Sequence, residues 1–115
     1  MWRALDNDPY ARRLRELLRR FRAQELSMTA VLLDLQAELE HWHLEASFLR
    51  LGGQEVKVPL RRRCRELQAE CDLIATELVH VRMAISGAGE ELADHEGRVI
   101  HAGSMGHPPR QAARA

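Results

Sequence analysis

The chain has 115 residues, about one domain's worth of polypeptide, so a single hydrophobic core has to stabilise it. Its 17 Lys and Arg residues balance its 17 Asp and Glu residues, which excludes an overall electrostatic field that would attract nucleic acid or a membrane surface. Aromatic residues make up 4% of the chain and β-branched residues are sparse, which argues against a β-sheet fold.

The first predicted element is a helix over residues 9–51, which follows an N-terminal arm over residues 1–8. Asp8 is a good N-cap residue, and Pro9 suits the first helical position because its missing N–H is not needed there. No Gly or Pro follows until Gly52. Apolar residues recur at alternating steps of three and four, with Glu25 as the exception, and this spacing predicts a coiled-coil seam.

The second predicted helix covers residues 59–86. A loop over residues 52–58 comes before it, because its two glycines suit a helix C-terminus and Pro59 suits a new first turn. The helix repeats the spacing of three and four without exception. We expect the glycines near residue 87 to interrupt it, and a short helical extension over 88–97 and a flexible tail over 98–115 to follow.

Two helices of similar length joined by a short loop favour antiparallel neighbours. The predicted fold class is therefore all-α, an antiparallel and coiled-coil-like two-helix hairpin. Pairing Leu49 with Leu60 sets the register, and Arg63 then faces Glu45. The predicted hairpin core consists of Leu14, Leu18, Phe21, Met28, Leu32, Leu35, Leu39, Trp42, Leu49, Leu60, Leu67, Ile74, Leu78, Val81 and Ile85.

A second row of residues at helical spacing runs along the first helix, and a weaker row runs along the second. The row on the first helix, here called the second stripe, consists of Leu26, Ala30, Leu33, Ala37, His41, Leu44, Phe48 and Leu51. A helix with two apolar faces contacts more than one neighbour. We therefore expect self-association as a homodimer that completes a four-helix bundle, with a larger protein complex as the other partner. The predicted partner interface consists of Leu26, Leu33, Leu44, Phe48, Leu51, Leu73 and Met83.

Arginines crowd the first turns of both helices, where positive charge opposes the helix dipole and an anion would relieve it. A phosphate backbone or an acidic protein surface would each serve, so nucleic acid is an alternative partner. The candidate anion-binding residues are Arg12, Arg13, Arg19, Arg20, Arg61, Arg62 and Arg63.

Two Glu-x-x-His pairs, Glu38 with His41 and Glu77 with His80, have the spacing that di-metal helical bundles use. Within one hairpin the two histidines lie roughly 18 Å apart along the helices, so they cannot share a metal ion without a second chain. The spacing is common in Glu-rich helices. We therefore expect polar positions rather than metal ligands, and a metal-binding bundle is the second alternative.

No phosphate-binding loop, zinc-ligand spacing or activated nucleophile occurs in the sequence, so we expect neither an enzyme nor a cofactor. Cys64 and Cys71 would lie about 10.5 Å apart along one helix, too far for a disulfide. No signal-peptide pattern and no long apolar run occur, so a cytoplasmic protein outside the membrane is expected. The predicted function is that of a non-enzymatic scaffold or adaptor that oligomerises and docks onto a larger protein assembly.

Overall fold

The computed structural model describes residues 8–104 of the chain. In this range it contains two long helices, α1 over Pro9–Leu51 and α2 over Val58–Ser104, and no strand. This agrees with the predicted all-α helical hairpin, whereas a four-helix bundle formed by self-association stays a prediction. Residues 1–7 of the predicted arm and 105–115 of the predicted tail lie outside the described residues.

Both ends of α1 are capped as the sequence predicts. The Oδ1 atom of Asp8 accepts hydrogen bonds from the backbone N–H groups of Tyr10 at 2.9 Å and Ala11 at 3.3 Å. At the other end Gly53 has a φ of 73°, and its N–H bonds to the carbonyl of Arg50. The N–H of Gln54 bonds to the carbonyl oxygen five residues earlier at 2.8 Å, which completes a Schellman motif.

The second helix is longer than predicted. The expected interruption over residues 86–89, the separate extension after it and the start of the tail at residue 98 are wrong, because α2 is continuous to Ser104. A glycine costs a helix about 1 kcal/mol relative to alanine but does not forbid a helical backbone. Ile85 and Leu92 on either side of the glycines are half-buried, so packing on both sides offsets this cost.

Contacts divide the chain into two compact units. Unit 1 comprises Met1–Arg22 and Met83–Ala115, of which residues 8–22 and 83–104 are described. Unit 2 comprises Ala23–Arg82. In unit 2, Arg82 pairs with Glu25 and Arg63 pairs with Glu38, so partner positions on α2 fall as positions on α1 rise. The two helices are therefore antiparallel in this unit.

All fifteen residues of the predicted hairpin core are buried or half-buried. In unit 2, Leu39, Leu67 and Cys71 form a buried cluster, against which four partly buried side chains pack, those of Leu32, Leu35, Trp42 and Cys64. Six of the fifteen are buried, namely Leu14, Leu18, Leu39, Leu67, Leu78 and Val81. The others are half-buried, namely Phe21, Met28, Leu32, Leu35, Trp42, Leu49, Leu60, Ile74 and Ile85.

The polar contacts of unit 2 differ from the predicted register at one point. Arg63, expected opposite Glu45, instead hydrogen-bonds Glu38 through Nη2 at 2.8 Å and Nε at 3.3 Å. The arginine side chain is long enough to span more than one turn of the neighbouring helix, so the register of the backbone does not determine its partner. Glu25, the exception in the predicted seam, accepts a hydrogen bond from Arg82 at 2.9 Å.

Candidate functional site

The second stripe of α1 is exposed along its whole length in unit 2. Leu26 is 73% exposed, Phe48 is 70% exposed and Leu51 is 84% exposed, while Leu33 and Leu44 are more than half exposed. Ala30, Ala37 and His41, which lie between them, are exposed as well. No described part of the chain covers this row.

The second stripe lies on the face of α1 opposite the hairpin core. Successive residues are separated by about 100° around a helix. Leu44 lies two residues from both Trp42 and Ala46, and therefore about 200° from each. Trp42 is half-buried and Ala46 is buried, whereas Leu44 is exposed. The helix is thus apolar on two opposite sides, of which only one has a neighbour in the described chain.

The predicted interface residues on α2 are also exposed. Leu73, in unit 2, is 61% exposed, and Met83, in unit 1, is 66% exposed. Ala69, Thr76 and His80, at the same helical spacing, are exposed and carry small or polar side chains. The row on α2 therefore has fewer large apolar side chains than the second stripe of α1.

Three of the predicted anion-binding arginines have acidic partners within the chain. Arg19 and Arg20 pair with Glu16 at 2.8 Å and 3.8 Å, and Arg63 pairs with Glu38 and, at 3.7 Å, with Glu66. For Arg61 and Arg62 the described residues provide no ion pair. Arg12 and Arg13 lie exposed in the first turns of α1. Nucleic-acid binding stays a prediction.

The first Glu-x-x-His pair contacts side chains that do not bind metal ions. Glu38 accepts hydrogen bonds from Arg63 and from the indole of Trp42, while the ring of His41 meets that indole edge-on at 4.9 Å. Glu77 and His80 are exposed. Across residues 8–104, no three His, Cys, Asp or Glu side chains come together as a set of metal ligands.

A polar cluster in unit 1 was not foreseen from the sequence. His95 Nε2 lies 2.5 Å from Asp8 Oδ2, and the rings of His95 and Tyr10 meet edge-on at 4.7 Å. The Tyr10 hydroxyl donates to Glu91, and Arg15 pairs with Glu96. The pKa of Asp8 is lowered, chiefly because His95 hydrogen-bonds its carboxylate. The available signal was the four-residue spacing of Glu91 and His95, which places them on one helix face.

The described helices contain no stretch that combines the length and the apolar character needed to cross a membrane. Comparison of the chain with protein-family models, with curated proteins and with solved structures found no match.

Proposed function

We propose that the protein is a non-enzymatic helical scaffold that pairs with a second copy of itself through the second stripe of α1. The observation that carries the proposal is the exposure of five large apolar side chains in one row on the face opposite the core, Leu26, Leu33, Leu44, Phe48 and Leu51. Each such side chain contributes roughly 1.5–3 kcal/mol when it is removed from water. In a monomer these side chains stay in contact with water and do not contribute this free energy.

The spacing of the second stripe supports a second copy as the occupant. Read in either direction, the stripe places residues at nearly the same distances from its midpoint, which lies between Glu38 and Leu39. When two copies of α1 are laid antiparallel about that point, Leu26 meets Leu51 and Leu33 meets Leu44. A surface that complements itself in this way forms a two-fold interface.

The sizes of the facing side chains also match in this arrangement. Phe48, the largest member of the second stripe, falls opposite Ala30 of the second copy, and His41 falls opposite Ala37. Large side chains set against small ones allow two helices to interdigitate without voids. A parallel pairing would instead place Phe48 against Phe48 and Ala30 against Ala30.

The position of the second stripe favours a flat layer rather than a square bundle. In a square four-helix bundle each helix contacts two neighbours about 90° apart around its axis. The two apolar faces of α1 are about 180° apart in unit 2, so the second copy adds on the side away from α2. We therefore propose that four helices lie in the order α2, α1, α1 and α2 across unit 2 of the dimer, with the outer faces of α2 left for the larger assembly.

Sedimentation velocity at micromolar concentration tests the dimer. The wild type should sediment with twice the mass of the chain, and Leu44→Glu with Phe48→Glu should sediment as a helical monomer. The matched control is Gln36→Glu with His43→Glu, which also adds two carboxylates at exposed positions of α1 but leaves the second stripe intact. A monomeric wild type, or a control as monomeric as the stripe variant, contradicts the proposal.

Cysteine cross-linking tests the direction of pairing. In a Cys64→Ser background, a mixture of Leu33→Cys and Leu44→Cys chains should form interchain disulfides under mild oxidation. Leu33→Cys alone should not, because in the antiparallel register the two copies of residue 33 lie about 16 Å apart along the helices. Cross-linking of Leu33→Cys with itself would indicate parallel pairing and contradict the proposed register.

Salt dependence separates this function from nucleic-acid binding. Asp34 and Glu45 flank the second stripe and are exposed, so pairing brings acidic groups of two copies closer together. Added salt screens this repulsion, and the dimer should tighten. A protein that bound phosphate backbones through its arginines would instead lose affinity steeply as salt rises.

A further inference from the structure

A groove lies where the last turns of α1, the loop and the first turns of α2 meet in unit 2. We call it the loop groove. It has a volume of about 580 Å³, within the range of roughly 300–1,000 Å³ that small-molecule sites occupy. It shares no residue with the second stripe, so what it binds is independent of whether the chain forms a dimer.

The charged side chains that line the loop groove are basic. Arg50 comes from α1, and Arg61 and Arg65 come from successive turns of α2. None of the ion pairs among residues 8–104 involves these three arginines. Glu55 lines a neighbouring hollow beside Arg50 and Arg61 but makes no ion pair with either.

The charge of the loop groove is of the kind that holds an anion. Guanidinium groups bind phosphate and carboxylate through paired hydrogen bonds in a fixed geometry. The N-terminus of α2, which begins at Val58, adds its positive dipole end to the same region. His43 and Ser47 on α1 supply further polar groups to the lining.

The rest of the lining is apolar. Ala46 and Cys64 come from the two helices, and Val56 and Val58 come from the loop and the start of α2. Val58 is 51% exposed, so an apolar ligand would remove it from water. Inorganic phosphate or water would leave these apolar side chains exposed, whereas a ligand with an apolar part would cover them.

We propose that the loop groove binds a small amphipathic anion, a molecule that joins a phosphate or carboxylate group to an apolar body. The arginines hold the charged group, and Val56, Val58 and Cys64 cover the apolar body. Arg50 was not among the arginines that the sequence pattern selected, because only the loop brings the end of α1 to the start of α2.

Cys64 provides a local reporter of binding. Its thiol is half-buried in the lining, whereas Cys71, one heptad later on α2, is buried in the core. Iodoacetamide is small and uncharged, so the arginines of the loop groove do not attract it. Its rate of reaction with Cys64 therefore reports how accessible the thiol is. Peptide mass spectrometry after timed alkylation measures each thiol separately.

The experiment compares four probes below their aggregation concentrations: octyl phosphate, octanoate, 1-octanol and inorganic phosphate. The first two should slow alkylation of Cys64 in a saturable way and leave Cys71 unchanged, and their ranking tells a phosphate ligand from a carboxylate ligand. Equal protection by 1-octanol would show an apolar groove without anion selectivity, and equal protection by inorganic phosphate would show that the apolar body is not recognised. Either result, or no protection at all, overturns the proposal.

A matched pair of variants then assigns the charge. Arg61→Gln with Arg65→Gln should weaken octyl phosphate binding by at least about tenfold, since the loss of even one charge-assisted hydrogen bond has roughly that effect. Arg22→Gln with Arg98→Gln removes the same charge at exposed positions outside the loop groove and should leave the affinity within about twofold of the wild type. Circular dichroism checks that both variants remain helical. Equal weakening by the two variants would overturn the assignment to the loop groove.

Discussion

Arg63 of α2 holds the carboxylate of Glu38 of α1 with two hydrogen bonds, beside the buried cluster of unit 2. The indole of Trp42 donates to the same oxygen atom at 3.4 Å. The pKa of Glu38 is lowered, first because the hydrogen bond from Arg63 favours the charged carboxylate. This contact joins the two helices, and it gives Arg63 a different glutamate partner from Glu45, which the predicted register placed opposite it.

The first prediction concerns acid stability. The pKa of Glu38 is lower in the folded protein than its ordinary value of 4.5. The ionised carboxylate therefore adds to the free energy of unfolding above pH 4.5, and this addition is lost as the pH falls through the lower folded pKa. The wild type should therefore lose more free energy of unfolding than Glu38→Gln as the pH falls below about 4.5. Both side chains are 40% exposed, so water screens the pair and the difference should be modest.

Urea titrations at several pH values, followed by circular dichroism, measure this difference. Glu45→Gln is the matched control, since Glu45 is exposed on the same helix and was the partner that the sequence assigned to Arg63. It should leave the pH profile of the wild type unchanged. A flattened profile for Glu45→Gln and an unchanged one for Glu38→Gln would restore the predicted register.

The second prediction concerns the start of α1. Asp8 caps the helix and also contacts His95 of α2, so it connects two elements of unit 1. Asp8→Ala removes both interactions, whereas Asp8→Asn keeps a capping oxygen and loses the charge opposite His95. Hydrogen exchange of the Tyr10 and Ala11 amides, measured by NMR, should be fastest in Asp8→Ala and intermediate in Asp8→Asn. Equal exchange in both variants would assign the whole effect to the charge.

The third prediction uses two glycines whose backbones differ. Gly87 lies inside α2, and a Cβ atom added there would meet nothing within 4 Å. Gly87→Ala should raise the free energy of unfolding by about 0.5–1 kcal/mol, because alanine has less conformational freedom to lose in the unfolded chain. Gly53 also has open space around it but has a φ of 73°, so Gly53→Ala should lower stability by about 1 kcal/mol.

Thermal and urea unfolding of the two glycine variants give the comparison. The open space is the same at both positions, so a difference in sign isolates the backbone conformation. Destabilisation by Gly87→Ala would indicate that α2 is interrupted there, as the glycine-rich segment predicts.

The sequence predicts those features that depend on periodicity. Leu39 and Leu67 lie in seams whose three-and-four spacing is enough to identify a buried face. The glycines near residue 87 led to the wrong prediction of an interrupted helix, because local helix propensity is weak compared with packing on both sides of them. The partner of Arg63 is unpredictable for another reason, since a long side chain can reach several acidic groups at different levels of the neighbouring helix.

Within the candidate site, the same distinction holds. The exposure of Leu44 and Phe48 follows from their positions opposite the seam, and the sequence pattern anticipates it. The loop groove could not be predicted, because it depends on how six loop residues return the chain from Gly52 to Val58. That path is determined by the Schellman motif and the loop conformation rather than by a repeating pattern.

The fourth prediction concerns the core of unit 2. Leu67 is fully buried, and Leu67→Ala should lower the free energy of unfolding by roughly 2–5 kcal/mol through lost apolar contact and a residual cavity. Leu73→Ala makes the same chemical change on the same helix at an exposed position and should change it by less than about 0.5 kcal/mol. Urea unfolding measures both. Similar losses for the two variants would indicate that Leu73 is buried in solution.

The fifth prediction concerns the two thiols in the absence of any ligand. The pKa of Cys71 is raised, first because burial disfavours the thiolate and then because Asp72 and Glu70 add negative charge nearby. Since the thiolate is the reactive form, both the low exposure and the raised pKa slow the alkylation of Cys71. Near pH 8, iodoacetamide should therefore modify Cys64 first, and Cys71 should become reactive only when urea unfolds the protein. Cys64→Ser should abolish the early phase, whereas an early phase that survives in this variant would show that Cys71 is accessible in the folded chain.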